Sequence, residues 1–294
     1  MKRSGAPDAM DTVKLNTGSD MPIVGLGTYK LRGQELVIQT VEAALKLGYR
    51  SIDTAAVYRN EKDIAIALKQ FCPKYSVERE NLFITSKLAP KDQGYEEAKA
   101  AVLRSLEALG LEYLDLYLVH WPGKQGMLRE DERNRQYRKD TWRALEELHR
   151  NGQLRAIGVS NYTVRHMKEL LEHCQVKPAV LQIEHHPELQ QTELISLCRE
   201  HDVHFQAYSS LGTGKLVSHP AVLETATKYN RTAGQILLRW AVQRGVGVIP
   251  KSTNPQHLKD NIHIFDFTLE EEDMGRLDSL DSGRHYCWDP QHVA

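Results

Sequence analysis

Leu114-Asp115-Leu116-Tyr117-Leu118-Val119-His120 is an aliphatic run too short for a globular helix, and it ends on an imidazole. It reads as a buried strand. The same pattern recurs on both sides. Arg50-Ser51-Ile52-Asp53 ends on a carboxylate, and Leu82-Phe83-Ile84-Thr85-Ser86-Lys87 on an ammonium. Further runs lie at residues 23–27, 156–160, 180–184, 204–208 and 247–250. Between the runs come stretches of helical period. The first, residues 34–47, places Leu36, Val37, Val41, Ala44 and Leu45 on one face. The others cover 60–70, 95–109, 138–150, 163–173, 191–201, 220–229 with 232–244, and 255–261. Gly48, Gly110 and Asn151-Gly152 stop three of these helices, and Asn60 stands where a cap for the second belongs.

Eight strand–helix alternations with no break in composition predict an α/β chain forming a single (β/α)8 TIM barrel over residues 12–294. Val13-Lys14-Leu15 and Met21-Pro22-Ile23, joined through Asn16-Thr17-Gly18-Ser19-Asp20, predict an N-terminal β-hairpin. Residues 269–280 predict an extra C-terminal helix, 281–294 a short tail rich in large side chains, and 1–11 a flexible tail. The competing architecture is a doubly wound open sheet. It calls for a Gly-rich first βα turn, and Gly25-Leu26-Gly27 lacks the third glycine.

Composition narrows the function classes. With 294 residues, 41% apolar and 26% charged, the chain can bury about three quarters of its unfolded surface. A net charge of −1 supplies no field for nucleic acid or a membrane surface, so neither is an expected partner. Cys72, Cys174, Cys198 and Cys287 are scattered without metal spacing and read as free thiols of a reducing compartment. No secretory h-region and no membrane-length apolar run is present, so a cytoplasmic protein is expected.

Polar groups end every strand: Thr28-Tyr29, Asp53, Lys87, His120, Ser160-Asn161, Gln182 with Glu184, Tyr208-Ser209 and Lys251-Ser252. Singly, each has a bland explanation: a cap, a solvated strand exit, loop packing. In a barrel, however, all eight strand ends face one mouth, where such enzymes keep their chemistry. Asp53, Tyr58, Lys87 and His120 fall on strands two, three and four. An ammonium beside a phenol favours phenolate and lowers its pKa from about 10. A carboxylate would hold that ammonium charged, and an imidazole could orient a carbonyl. The expected chemistry is protonation of a carbonyl oxygen while hydride reaches its carbon.

Other motifs are weaker. Glu184-His185-His186 suggests a metal, but Pro187 follows and no second ligand cluster has zinc spacing, so a polar turn at the barrel rim and no metal are expected. Gly212-Thr213-Gly214-Lys215 is not a P-loop, though its backbone could cradle phosphate. Residues 124–139 mix both charge signs and read as a solvated loop.

Three segments resemble the aldo-keto reductases. These are Gly48-Tyr49-Arg50-Ser51-Ile52-Asp53-Thr54-Ala55 with Tyr58 and Asn60-Glu61; Tyr113 through Pro122 with Ile157-Gly158-Val159-Ser160-Asn161; and Ile249-Pro250-Lys251-Ser252. The resemblance runs from about Thr12 to Asp281. It implies a TIM-barrel enzyme using NADPH/NADP+ to reduce aldehydes and ketones, of the short-loop, broad-specificity branch and monomeric. Tyr58 matches the proton donor, Lys87 and Asp53 its partners, and His120 the residue orienting the carbonyl. Ser160, Asn161 and Gln182 match positions holding the nicotinamide amide, and Tyr208 the aromatic stacked on its ring. Gly27, Thr28 and Tyr29, ending the first strand, also fall at the cofactor site. Ser209, Leu211 and Thr213 match pyrophosphate positions, Lys251, Ser252 and Thr253 surround the 2′-phosphate, and Asn261 meets the adenine. His257 stands where an arginine is usual, a departure that bears on the preference for NADPH, and Ser210 where a proline is common. Tyr29, Val57, Trp121 and Trp288 are the expected pocket walls for a small carbonyl substrate. A second reading is a nicotinamide-binding, redox-sensing subunit with little turnover. A complete catalytic set argues against it.

Overall fold

The computed structural model describes residues 11–294. A hairpin of β1 (Thr12–Lys14) and β2 (Asp20–Pro22) precedes eight parallel strands: β3 (Leu26–Gly27), β4 (Ser51–Asp53), β5 (Phe83–Leu88), β6 (Leu116–Val119), β7 (Ile157–Ser160), β8 (Val180–Glu184), β9 (His204–Tyr208) and β10 (Gly247–Val248). The strands pair in chain order, and a parallel bridge between Val24 and Val248 joins first to last, closing the barrel. Closure needs a residue without Cβ: at Gly27 a Cβ would lie 2.4 Å from the Ile249 carbonyl oxygen. The expected (β/α)8 barrel is thus the observed fold.

The helices follow in alternation: α1 (Gln34–Lys46), α2 (Glu61–Lys74), α3 (Tyr95–Leu109), α4 (Arg133–Arg150), α5 (Val164–His173), α6 (Thr192–Glu200), α7 (Pro220–Tyr229), α8 (Ala233–Gln243), α9 (Pro255–Ile262) and α10 (Glu271–Asp278). The helix α1 buries an apolar stripe of Val37, Val41, Ala44 and Leu45 in the core. Inside the barrel, Phe83, Leu116, Leu118, Ala156 and Val180 form an apolar floor, and Leu15 and Met21 of the hairpin plug it from below. Apolar side chains therefore occupy the bottom of the barrel and polar ones the top.

The structure changes several details. Asn60 makes no side-chain cap. Its buried amide instead accepts from the Thr54 hydroxyl at 2.6 Å and donates to the Thr28 and Leu31 carbonyls, tying the first two βα loops together. The stretch expected as a solvated loop is half helix, because α4 starts at Arg133, five residues before the expected start. Its buried stripe includes Asn134 and Arg138, polar residues that concealed the helical period. The last strand stops before Pro250, which has no N–H for the ladder. Glu184, His185 and His186 are all buried and not rim-exposed. His185 stacks on Trp240 at 5.0 Å, and burial lowers its pKa to about 3. Of the expected tail, only Asp11 lies within the described residues.

Candidate active site

Parallel register brings the polar strand ends to one level: Gly27 faces Asp53, Ser160 faces Gln182, and Glu184 faces Tyr208. Lys87, fully buried on β5, donates to Asp53 Oδ1 at 2.5 Å and to the Thr54 carbonyl at 2.9 Å. Its Nζ lies 3.5 Å from the Tyr58 hydroxyl, which a one-turn 3-10 helix after β4 carries into the mouth. The second Asp53 oxygen accepts from Gln182 Nε2 at 2.7 Å, and the same nitrogen donates to Gln206 at 2.8 Å. A chain of polar contacts therefore crosses the barrel from β9 through β8 to Asp53, Lys87 and Tyr58. His120 meets the Tyr58 ring edge-on at 5.7 Å and keeps a buried Nδ1 with no partner.

Electrostatics revise one expectation. The Tyr58 pKa is raised well above 10, first by burial and then by the negative charge of Asp53, with further contributions from nearby Tyr29 and Cys287. The Lys87 charge is already matched by Asp53 in direct contact, which cancels much of its pull on the phenol. Tyr58 therefore holds its proton and does not titrate near neutrality. Burial also lowers the Lys87 pKa, against the opposing pull of Asp53. His120 is driven well below 6.5 by burial and then by Lys87, so it is neutral at pH 7.

The remaining expected site residues flank this cluster. Asn161 is buried with φ 62°, donates to the His120 carbonyl at 2.8 Å and to Ser160 Oγ at 3.2 Å, and accepts from the Tyr208 hydroxyl at 2.6 Å. Thr28 is buried and Tyr29 exposed, its ring 5.2 Å from Tyr58. Val57 is exposed, and Trp121 packs edge-on to Trp288 at 4.6 Å. After β9, the loop with Ser209, half-buried Leu211 and exposed Thr213 has positive φ at Ser209, Gly212, Thr213 and Gly214. The buried Ser210 hydroxyl beside it has no partner. Beyond β10, exposed Lys251 and Thr253 and half-buried Ser252 lead into α9, whose first turn carries exposed His257 and whose body carries buried Asn261. A helix N-terminus with a neighbouring lysine suits a phosphate. The unpartnered Ser210 hydroxyl and the start of α9 each offer groups of the kind that hold a phosphate.

Some residues escaped the sequence reading. Gln206 sits two residues before Tyr208, so the strand period could have placed it inside the barrel. Arg138 gave no signal because its partners are far away in the chain, and neither did the contact of His166 with distant Val293.

Fold and rim together define a barrel oxidoreductase without a separate dinucleotide-binding domain. The chain belongs to the aldo/keto reductase family, whose model matches residues 23–282. It is similar to the glyoxal reductase of Bacillus subtilis, 47% identical over 96% of this chain and 97% of that protein. It is also similar to aldo-keto reductase family 1 member A1 of Bos taurus, at 42% identity over 95% and 91%. A Bombyx mori aldo-keto reductase solved in complex with NADP superposes with a TM-score of 0.87 at 31% identity, covering 97% of this chain and 99% of that one. This protein is an NADP-dependent oxidoreductase that acts on carbonyl groups. Among the described residues no helix is long and apolar enough to cross a membrane, and no His, Cys, Asp or Glu cluster is arranged for a metal.

Proposed function

We propose that the protein reduces small aldehydes and α-dicarbonyls to alcohols, with Tyr58 giving the proton to the carbonyl oxygen. The observation that carries this reading is the meeting of a protonated, half-buried Tyr58 with the Lys87–Asp53 pair and neutral His120 at one barrel mouth. The bound cofactor supplies the hydride. Lys87 stands beside the phenol oxygen and steadies the negative charge that develops there as the proton leaves. Neutral His120 hydrogen-bonds the carbonyl and fixes its direction. Glyoxal, the substrate in the name of the Bacillus relative, is small enough for a pocket walled by Tyr29, Val57, Trp121 and Trp288. The direct test is NADPH consumption with glyoxal, methylglyoxal and simple aldehydes. No turnover with any of them would favour a redox-sensing role.

Two consequences can be measured. Alanine at Trp121 or Trp288 should reorder kcat/KM among aldehydes by roughly 10–200-fold, the range of a pocket contact, and leave NADPH affinity unchanged. Loss of NADPH affinity with an unchanged order would place these rings at the cofactor instead. His257→Arg should tighten NADPH by about tenfold, or ~1.4 kcal/mol, with little effect on NADH. Arginine offers a permanent charge and a planar fork to phosphate, which imidazole does not. Fluorescence titration of both cofactors decides; equal gains for the two would put His257 away from the 2′-phosphate.

A further inference from the structure

Residues 281–294 form a strap fastened on both sides of Trp288. The first fixture is Glu184, a buried carboxylate at the end of β8. It accepts from the backbone N–H groups of Tyr286 at 2.7 Å and Cys287 at 3.1 Å, and from His186 at 3.1 Å. Burial alone would raise its pKa, but these three donors pull it below the usual value and keep it ionised.

The second fixture lies on α4, α5 and the loop before α4. Val293 and Ala294 are buried. The Val293 carbonyl accepts from His166 Nε2 at 2.9 Å and from Arg165. The Ala294 N–H donates to the Arg129 carbonyl at 2.7 Å, and the Ala294 oxygen accepts from Arg138. Arg138 is 3% exposed, is held by Glu169 at 2.9 Å, and also donates to the Pro122 carbonyl at 3.2 Å. One guanidinium thus grips the loop carrying Trp121 and the strap carrying Trp288.

His166 is equally committed. The Thr163 backbone N–H can only donate, so it makes Nδ1 the acceptor at 3.2 Å and leaves Nε2 to carry the proton given to Val293. The imidazole closes the first turn of α5 and holds the strap at once.

We propose that Arg138 and His166 are positioning residues for substrate selection: they fasten the strap so that Trp288 is held against Trp121 as the outer wall of the carbonyl pocket. The inference rests on the reading of those two rings as pocket walls. Neither residue touches the reacting atoms; both act through Trp288. The Arg129 guanidinium, 4.9 Å over the Trp288 ring, adds a further hold on the same side chain.

The test breaks the second fixture from each side, with Val293→Lys in the strap and His166→Phe in the cradle, singly and together. Trp142 and Trp240 are 1% and 0% exposed, so acrylamide quenching of the four tryptophans reports on Trp121 and Trp288. Each single variant should raise the quenchable fraction. Each should also raise KM for a bulky aromatic aldehyde by roughly tenfold, with KM for glyoxal, kcat and the Kd of NADPH held within about twofold. The double variant should match the singles, because both open one contact. His166→Phe also removes the α5 cap and could fail to fold. Val293→Lys leaves that helix intact and carries the test alone. Unchanged quenching in Val293→Lys, or additive losses in the double variant, would overturn the fastening. Raised quenching in Val293→Lys with no change in aldehyde order, together with an unchanged order in Trp288→Ala, would overturn the proposal through the pocket reading beneath it.

Discussion

Tyr58→Phe is expected to lower kcat for aldehyde reduction by about 10²–10⁴-fold, the usual worth of a general acid, and to leave the Kd of NADPH nearly unchanged. The aromatic ring survives in the variant, so its edge contact with His120 and its packing against Tyr29 survive too. Only the hydroxyl 3.5 Å from Lys87 is lost. An interaction made only as charge develops on the carbonyl oxygen should show in kcat and kcat/KM equally, with KM hardly moved. Stopped-flow measurement of the hydride step with saturating NADPH separates chemistry from product release. A variant that keeps more than about a tenth of wild-type chemistry would remove Tyr58 from the proton-donor role.

The second large effect falls on stability. Asp53→Asn should destabilise the fold by about 3–5 kcal/mol at neutral pH, because it leaves the Lys87 ammonium buried without its counter-charge. The sign with pH follows from Lys87. Burial already depresses its folded pKa below 10.5, and Asp53 supplies both of the influences that raise it. Without them the folded pKa drops further. Between that value and the unfolded one, the unfolded chain binds the extra proton, so stability rises with pH across the window. The deficit of Asp53→Asn relative to wild type should therefore be largest near pH 6.5 and shrink towards pH 9.5. Urea unfolding of both proteins at the two pH values measures it. A pH-independent deficit would mean that the loss is one of hydrogen bonds to Gln182 and not of charge.

The barrel was legible in the sequence because each strand is a short apolar run and each helix has a clear apolar stripe. Asp53, Lys87 and His120 were legible because they end such runs, and strand order alone made them neighbours. Tyr58 was harder: it lies on a short 3-10 turn with no periodicity, and it stood out only by its closeness in the chain to Asp53, a reading the family signature then strengthened. The electrostatic state was not legible. Spacing put a phenol near an ammonium but could not show that Asp53 lies 2.5 Å from that ammonium, or that burial dominates at Tyr58. The start of α4 was hidden because its inward face carries Asn134 and Arg138, whose reasons for burial lie in the Leu128 and Pro122 carbonyls and the far strap. A polar residue buried for a distant partner looks like a solvated one when the partner is unknown.

The hairpin plug has a consequence for traffic. With Leu15 and Met21 seated beneath the apolar floor, the polar mouth is the way in that the described residues leave to the barrel interior. Lys87 and Asp53 lie above that floor and are 1% and 3% exposed. If Tyr58 surrenders its proton at each turnover, the replacement enters by the same opening through which the carbonyl arrives and the alcohol departs. Recharging of the acid is then bound to product exit, and whatever narrows that doorway slows both together.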